Sequence, residues 1–126
     1  MTETTSDALP TALAYYEAWT NHDFDRAMTF IADDIVCHAP VGRLEGANPF
    51  RAFMEPFTQM VTRVALIAAF GDDHTAMLMY DTDTLPVPNA PGAECLTVAD
   101  ATITHIRIIF DRAPFIAARQ AGGSPA

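Results

Sequence analysis

"YYEAWTNHDFDRAMTFIADDIVCHAPVG", Tyr15–Gly42, passes from helical spacing to strand-like alternation, and that change decides how the rest of the chain is read. Just upstream, Leu9, Ala12, Leu13, Tyr16 and Trp19 recur at the spacing of one helical face, with Pro10 tolerable in a first turn. The spacing predicts a helix ending near Asn21. Asp23 can cap a second short helix, because its carboxylate can accept from the free amides of a first turn; Phe24, Ala27, Met28 and Ile31 continue the period. "DIVCH" follows as a strand. After the turn-rich "GRLEGANPF", Asn48 can cap and Pro49 can begin a third helix carrying Phe50, Phe53, Met54 and Phe57.

Beyond Met60 the pattern becomes that of a sheet. "VTRVALIAAF", "HTAMLMYDTDTL", "ECLTVA" and "TITHIRIIF" are rich in β-branched and apolar residues, with turns at Gly71-Asp72-Asp73 and Asp100-Ala101 and a longer hairpin loop over Pro86–Ala93. Three helices in the N-terminal half followed by meander strands define an α+β chain, with the helices on one face of a curved antiparallel sheet. A single domain is expected at 8–118, with flexible ends at 1–7 and 119–126.

Bulk properties exclude several classes. A chain of 126 residues, half of them apolar, suits one core and one pocket. A formal charge of −9 repels phosphate backbones and anionic lipid, so nucleic acid is not an expected partner. The longest apolar run, Val64–Phe70, falls far short of the roughly 20 residues that span a bilayer. The N-terminus carries acids where a secretory signal is basic. Cys37 and Cys95 form neither a disulfide framework nor a zinc spacing, which suits a reducing cytoplasm. His22, His38, His74 and His105 are scattered, and no phosphate loop or nucleophile elbow is present, so neither metal nor cofactor is expected.

The opening stretch, with "GANPFRAFMEPF" and the closing "ATITHIRIIFDRAPF", resembles the nuclear transport factor 2-like superfamily, in particular its SnoaL-like and ketosteroid-isomerase-like members. The resemblance covers nearly the whole chain and implies a cone: a curved sheet wrapped around the helices, enclosing a deep apolar pocket. It also commonly implies a homodimer through the outer sheet face, and the outward parity of Thr104, His105, Arg107 and Ile109 agrees. One such scaffold serves isomerases, cyclases, dehydratases and epoxide hydrolases, so the pocket residues must carry the function.

In ketosteroid isomerases the residue before the proline of this motif is the aspartate that shuttles the proton; here it is Ala39. His38 alternates away from that position unless a bulge turns it inward, when it would contact substrate. The resemblance aligns Glu94 with the acid that isomerases keep protonated, and Tyr15 with the tyrosine that donates to the substrate oxygen. Limonene-epoxide-hydrolase-like members place an arginine between two aspartates; this chain has Asp81 and Asp83 on one strand, Ile108 where the second aspartate would be, and no such arginine. Alternation puts Met77, Met79, Asp81 and Asp83 on one strand face, expected to be the pocket face. A hairpin folded about Asn89 and Ala90 would bring Glu94 beside Asp83. Carboxylates that close cannot all ionise in an apolar cavity, and the one that stays protonated becomes an acid; a solvated rim is the alternative reading of the two aspartates.

Asp83, Asp81, Glu94 and Tyr15 are therefore the candidate catalytic residues. Trp19, Phe53, Phe57, Met77, Met79, Ile106, Ile108, Phe110 and His38 are the candidate substrate contacts. The expected function is a cofactor-independent SnoaL-like enzyme (polyketide cyclase, ketosteroid isomerase-like or epoxide hydrolase-like) acting on a hydrophobic oxygenated small molecule. The alternative is a non-catalytic ligand-binding or dimerisation module.

Overall fold

The computed structural model describes residues 8–122. The expected N-terminal segment 1–7 and positions 123–126 of the expected tail lie outside the described residues. Within them the elements follow as α1 (Ala8–Thr20), α2 (Phe24–Met28), β1 (Ile31–Ala39), β2 (Gly42–Glu45), α3 (Ala47–Met60), β3 (Val61–Gly71), β4 (Thr75–Thr84), β5 (Gly92–Ala99), β6 (Thr102–Phe110) and α4 (Ala113–Gly122). The strands form one curved, unclosed six-stranded sheet in the order β2-β1-β6-β5-β4-β3. The α+β expectation holds, and β3 to β6 form the antiparallel meander. One pairing goes beyond it: β1 runs parallel to β6, with Val36 opposite His105 and His38 opposite Arg107. No helix among the described residues is long and apolar enough to cross a membrane.

Helix α1 buries Ala8, Thr11, Ala12, Tyr15, Ala18 and Trp19. This stripe is rotated by one residue from the expected Leu9, Leu13 and Tyr16, which pack as its half-buried flank. Small residues at Ala8, Ala12 and Ala18 let the helix axis approach the sheet, so the large Tyr15 and Trp19 rings are driven into the core between them. Asp23 caps α2 as expected, its Oδ1 accepting from Arg26 N at 3.1 Å. The entry to α3 differs from expectation: Gly46, at φ 96°, replaces Asn48 as the cap, and the helix begins at Ala47. That left-handed backbone suits glycine, and Gly46 N donates to Ile35 O at 2.7 Å, tying the turn to β1. Part of the expected connection before it is strand β2, paired with β1 from Val36↔Glu45 to Ala39↔Gly42.

The inner sheet face carries Leu78 and Tyr80 from β4, Glu94, Leu96 and Val98 from β5, Ile103, Ile106 and Ile108 from β6, and Ile35 and Cys37 from β1, all buried. A bulge at Thr97/Val98 shifts the register against β6, so both Ile103 and Ile106 reach the core although strict alternation would separate them. A second irregularity between Leu66 and Ala68 interrupts β3.

Helix α4 was not expected; it runs through position 118, where the domain was drawn to end. Asp111 Oδ1 accepts from Ala113 N at 3.0 Å and Pro114 lies in the first turn, where its missing donor is harmless. The Phe115 ring stands edge-on to Phe110, centroids 5.8 Å apart.

The orientation of β4 can be checked by unfolding. Leu78 is 1% exposed, and Leu78→Ala should lower stability by about 2–5 kcal/mol in urea titrations. Asp81→Ala on the opposite face should stay within about 0.5 kcal/mol. A reversed ranking would refute the register.

Candidate functional site

Two aromatic-rich elements and the sheet enclose a cavity of about 290 Å³. Phe53, Phe57 and Met60 of α3 form one wall, Ile108 and Phe110 of β6 another, and Phe115 and Ile116 of α4 close over it. Pro91, Gly92 and Tyr80 complete the lining at the β4–β5 hairpin. Phe57 stacks near Phe110 (centroids 6.5 Å, 24° apart) and lies 6.2 Å from Trp19, so the lining continues into the core without a polar break.

Among the described residues Tyr80 alone is shared by the cavity and a buried polar layer beneath it. Its ring lies against Trp19 at 5.4 Å and Tyr16 at 5.8 Å. Its hydroxyl donates to Glu94 Oε2. Gly92 makes this placement possible, because a Cβ there would meet Tyr80 Cε1 at 3.0 Å and its hydroxyl oxygen at 3.5 Å. Glu94 itself is 1% exposed. Burial pushes its carboxyl up to about 7, against the lowering effect of the Tyr80 hydrogen bond. A carboxyl there is substantially protonated at neutral pH.

The surroundings stay neutral for the same reason. Burial, reinforced by Glu94, raises the Tyr80 and Tyr15 phenols well above their ordinary value. The Cys37 thiol is pushed up to about 12 by burial and then by Glu94. Three buried polar atoms in this layer, Glu94 Oε1, Tyr15 Oη and Trp19 Nε1, make no hydrogen bond among the described residues. Unpaired buried polar atoms are rare and expensive in a folded core, so this layer is where an additional hydrogen-bonding group is best accommodated.

Several sequence expectations meet here. Glu94 faces inward with Leu96 and Val98, and Tyr15 is fully buried. Phe53, Phe57, Ile108 and Phe110 line the cavity; Trp19 and Ile106 lie in the core beneath it.

Others are reversed. Met77 and Met79 are about half exposed (52% and 48%) on the outer sheet face, and Asp81 and Asp83 share that face, not the cavity. Asp83 pairs with Arg63 at 3.0 Å and accepts from Asn89 N at 3.0 Å; these contacts hold its carboxyl below the usual range. The hairpin apex falls at Leu85–Pro86, because Thr84 Oγ1 accepts from Val87 N and Thr82 exchanges backbone bonds with Ala90. Glu94 therefore sits opposite Leu78, away from Asp83. His38 points outward into a separate hollow with Arg107, while Cys37 takes the core side.

The sequence carries a signal for Tyr80 as a core residue. On β4 the two alternating rows are both partly apolar, but one of them ends in Asp81 and Asp83. Charge assigns that row to water and the Tyr80 row to the core. Among the described residues no three His, Cys, Asp or Glu side chains converge as metal ligands.

Residues 12–106 match the SnoaL-like domain family. A crystal structure from Kribbella flavida DSM 17836, described only as a protein of known function, is 62% identical, with a TM-score of 0.89 over 91% of this chain and 95% of that one. An NTF2-like protein of unknown function from Cytophaga hutchinsonii ATCC 33406 is 17% identical (TM-score 0.75, covering 92% and 99%). A provisionally assigned ketosteroid isomerase from Kribbella flavida DSM 17836 is 15% identical (TM-score 0.71, covering 86% and 81%). At these last identities the likeness is one of fold. No curated protein gives a significant match. With its helices, curved sheet and apolar cavity on this pattern, the chain belongs to the SnoaL-like domain family and has the NTF2-like fold.

Proposed function

We propose that the protein is a cofactor-independent cytoplasmic enzyme that protonates or polarises an oxygen of a hydrophobic small molecule, with Tyr80 touching the ligand and Glu94 behind it as the acid. The observation that carries this reading is the Tyr80–Glu94 hydrogen bond, which joins the wall of an apolar cavity to a buried carboxyl titrating near neutrality. With Glu94 neutral, its hydroxyl donates to Tyr80 Oη, and the Tyr80 hydroxyl is free to donate into the cavity. A carbonyl, epoxide or alcohol oxygen there accepts that proton or hydrogen bond as charge develops on it. The proton leaving Tyr80 is replaced from Glu94, which is left as the carboxylate; the buried Tyr15 hydroxyl, which makes no hydrogen bond among the described residues, is near enough to feel that charge.

Among the described residues the cavity lining contains no carboxylate, and Ala39 stands where isomerases keep their base. The reading therefore favours acid-driven chemistry on oxygen, such as dehydration, epoxide opening or carbonyl-activated cyclisation, over proton abstraction from carbon. Asp81 and Asp83 take no part in it. The same lack of a base is what favours the second reading, a non-catalytic ligand-binding module.

Outside the cavity, Phe70, Met77, Met79 and Ile109 are all exposed on the outer face, joined through the register Phe70↔Met77 and Met79↔Ala93↔Ile109. A patch of this kind is an association surface, and a homodimer through it belongs to the proposal. The free cysteines, Cys37 and Cys95, suit a reducing compartment.

Three outcomes test the reading. In a screen of apolar enones, epoxides and tertiary alcohols, Glu94→Gln and Tyr80→Phe should each lower turnover roughly 100-fold or more, while Asp81→Asn and Asp83→Asn keep it. Full activity in Glu94→Gln would sink the acid assignment, and ligand binding without turnover in the unmodified protein would favour the binding module.

Stability should also depend on Glu94. Its folded value, about 7, lies above the ordinary 4.5, so the folded state binds the extra proton between those limits. Its contribution is complete below the lower value and is lost as pH rises through the upper one, roughly 3 kcal/mol in all. Urea midpoints near pH 5 and pH 8 should differ accordingly, and Glu94→Gln should remove that difference.

Light scattering at micromolar concentration should give a dimer, and Met79→Lys with Ile109→Lys should give a monomer. A monomeric unmodified protein would count against the outer-face interface.

A further inference from the structure

The cavity is apolar, yet its rim is cationic. Arg112 and Arg119 both line it; Arg112 immediately precedes α4, its carbonyl accepting from Ile116 N at 3.0 Å, and with Phe115, Ile116 and Arg119 of the helix it falls at the i, i+3, i+4, i+7 spacing of a single helical face, so the two guanidiniums and the two apolar side chains border the same opening. Both arginines are exposed, which places them at the mouth, whereas Tyr80 is buried at the inner wall.

All seven basic residues of this acidic chain are arginines, and most have a visible occupation. Arg43 pairs with Glu45, Arg51 with Asp25 and Glu55, and Arg63 with Asp83. Arg26 lies over the Phe30 ring, and Arg107 borders the separate hollow beside His38. Among the described residues Arg112 and Arg119 join no ion pair, and the lining offers them no carboxylate. The neighbouring Asp111 carboxylate is turned to the first amide of α4.

We infer that the ligand is an amphipathic carboxylic acid: an apolar body among the aromatic rings of the cavity, and a carboxylate held at the mouth by Arg112 and Arg119. Guanidinium geometry suits a carboxylate, which it can engage with two parallel donors. The volume, about 290 Å³, admits about ten groups of ~30 Å³ each, which sets the body at the size of a phenylalkyl or short terpenoid chain. The inference rests on the reading of this cavity as the ligand site and adds the head group to it. It orients the ligand with its charged end outward and its oxygenated, reacting end toward Tyr80.

The probes are 4-phenylbutyrate and its uncharged isostere 4-phenylbutanamide, titrated calorimetrically into the unmodified protein at low ionic strength. The carboxylate should bind about tenfold more tightly than the amide, the sum expected of two solvent-exposed charge pairs, and the preference should shrink as salt is raised. In the Arg112→Gln/Arg119→Gln double variant the two affinities should converge to within about twofold, with the amide's affinity unchanged as proof that the cavity is intact. Equal affinities in the unmodified protein, a preference that survives in the double variant, or no binding of either probe would each overturn the inference. Tyr80→Phe should leave the carboxylate-to-amide ratio as it is. Loss of the head-group preference with turnover still dependent on Glu94 would remove this inference and leave the acid mechanism standing; the converse result would do the opposite.

Discussion

The burial of one carboxyl under helix α1 constrains most of what surrounds it. Glu94 is sealed on the inner face by Leu78 and Ile108 as cross-strand neighbours and reaches Tyr80 through its Oε2. An ionised carboxylate in that place would cost several kcal/mol of lost hydration, so burial pushes its titration up to about 7, and the Tyr80 hydroxyl is its hydrogen-bond partner among the described residues. Tyr15 and Trp19 come from successive turns of α1, which can lie close only because Ala8, Ala12 and Ala18 are small. The polar layer and the close approach of helix to sheet are thus one arrangement. A change that lifts α1 from the sheet would hydrate Glu94 and abolish its elevated titration.

The fold was legible because periodicity and capping are local. Asp23 announced α2, and the β-branched runs announced β3 to β6 with bounds close to those observed. Glu94 and Tyr15 were legible as inward residues, and four of the aromatic and aliphatic contacts, Phe53, Phe57, Ile108 and Phe110, line the cavity. What failed depended on non-local facts. The direction of β4 turns on which of two half-apolar rows meets α1, and it is the row with Asp81 and Asp83 that lies in water. The hairpin apex turned on hydrogen bonds made by the Thr84 and Thr82 hydroxyls, which composition alone does not reveal. Helix α4 was hidden by its proximity to the chain end, although Asp111, Pro114 and the spacing of Phe115, Ile116 and Arg119 carried its signature.

Division of labour on the sheet follows from the same alternation. On β4 each inward residue serves the cavity or core, and each outward one serves the exterior: Tyr80 holds Glu94, while Met79 adds to an exposed apolar patch and Asp83 anchors Arg63. The cavity-facing and exterior rows can therefore vary independently, since a substitution on either row reaches the opposite face only through the backbone. This separation is one physical reason why a scaffold of this shape accommodates many activities.

The sheet is unclosed, and its last strand, β3, is a long edge of eleven residues with Leu66, Ile67 and Phe70 exposed. Unpaired backbone groups along such an edge are a template for adding strands from other copies, and unlike a closed face-to-face pair, that addition has no natural end. The irregularity between Leu66 and Ala68 breaks the flat run in its middle, and Arg63 places a charge near its beginning. A register shift in the middle of an edge strand interrupts the straight, continuous ladder on which strand addition and fibril growth depend.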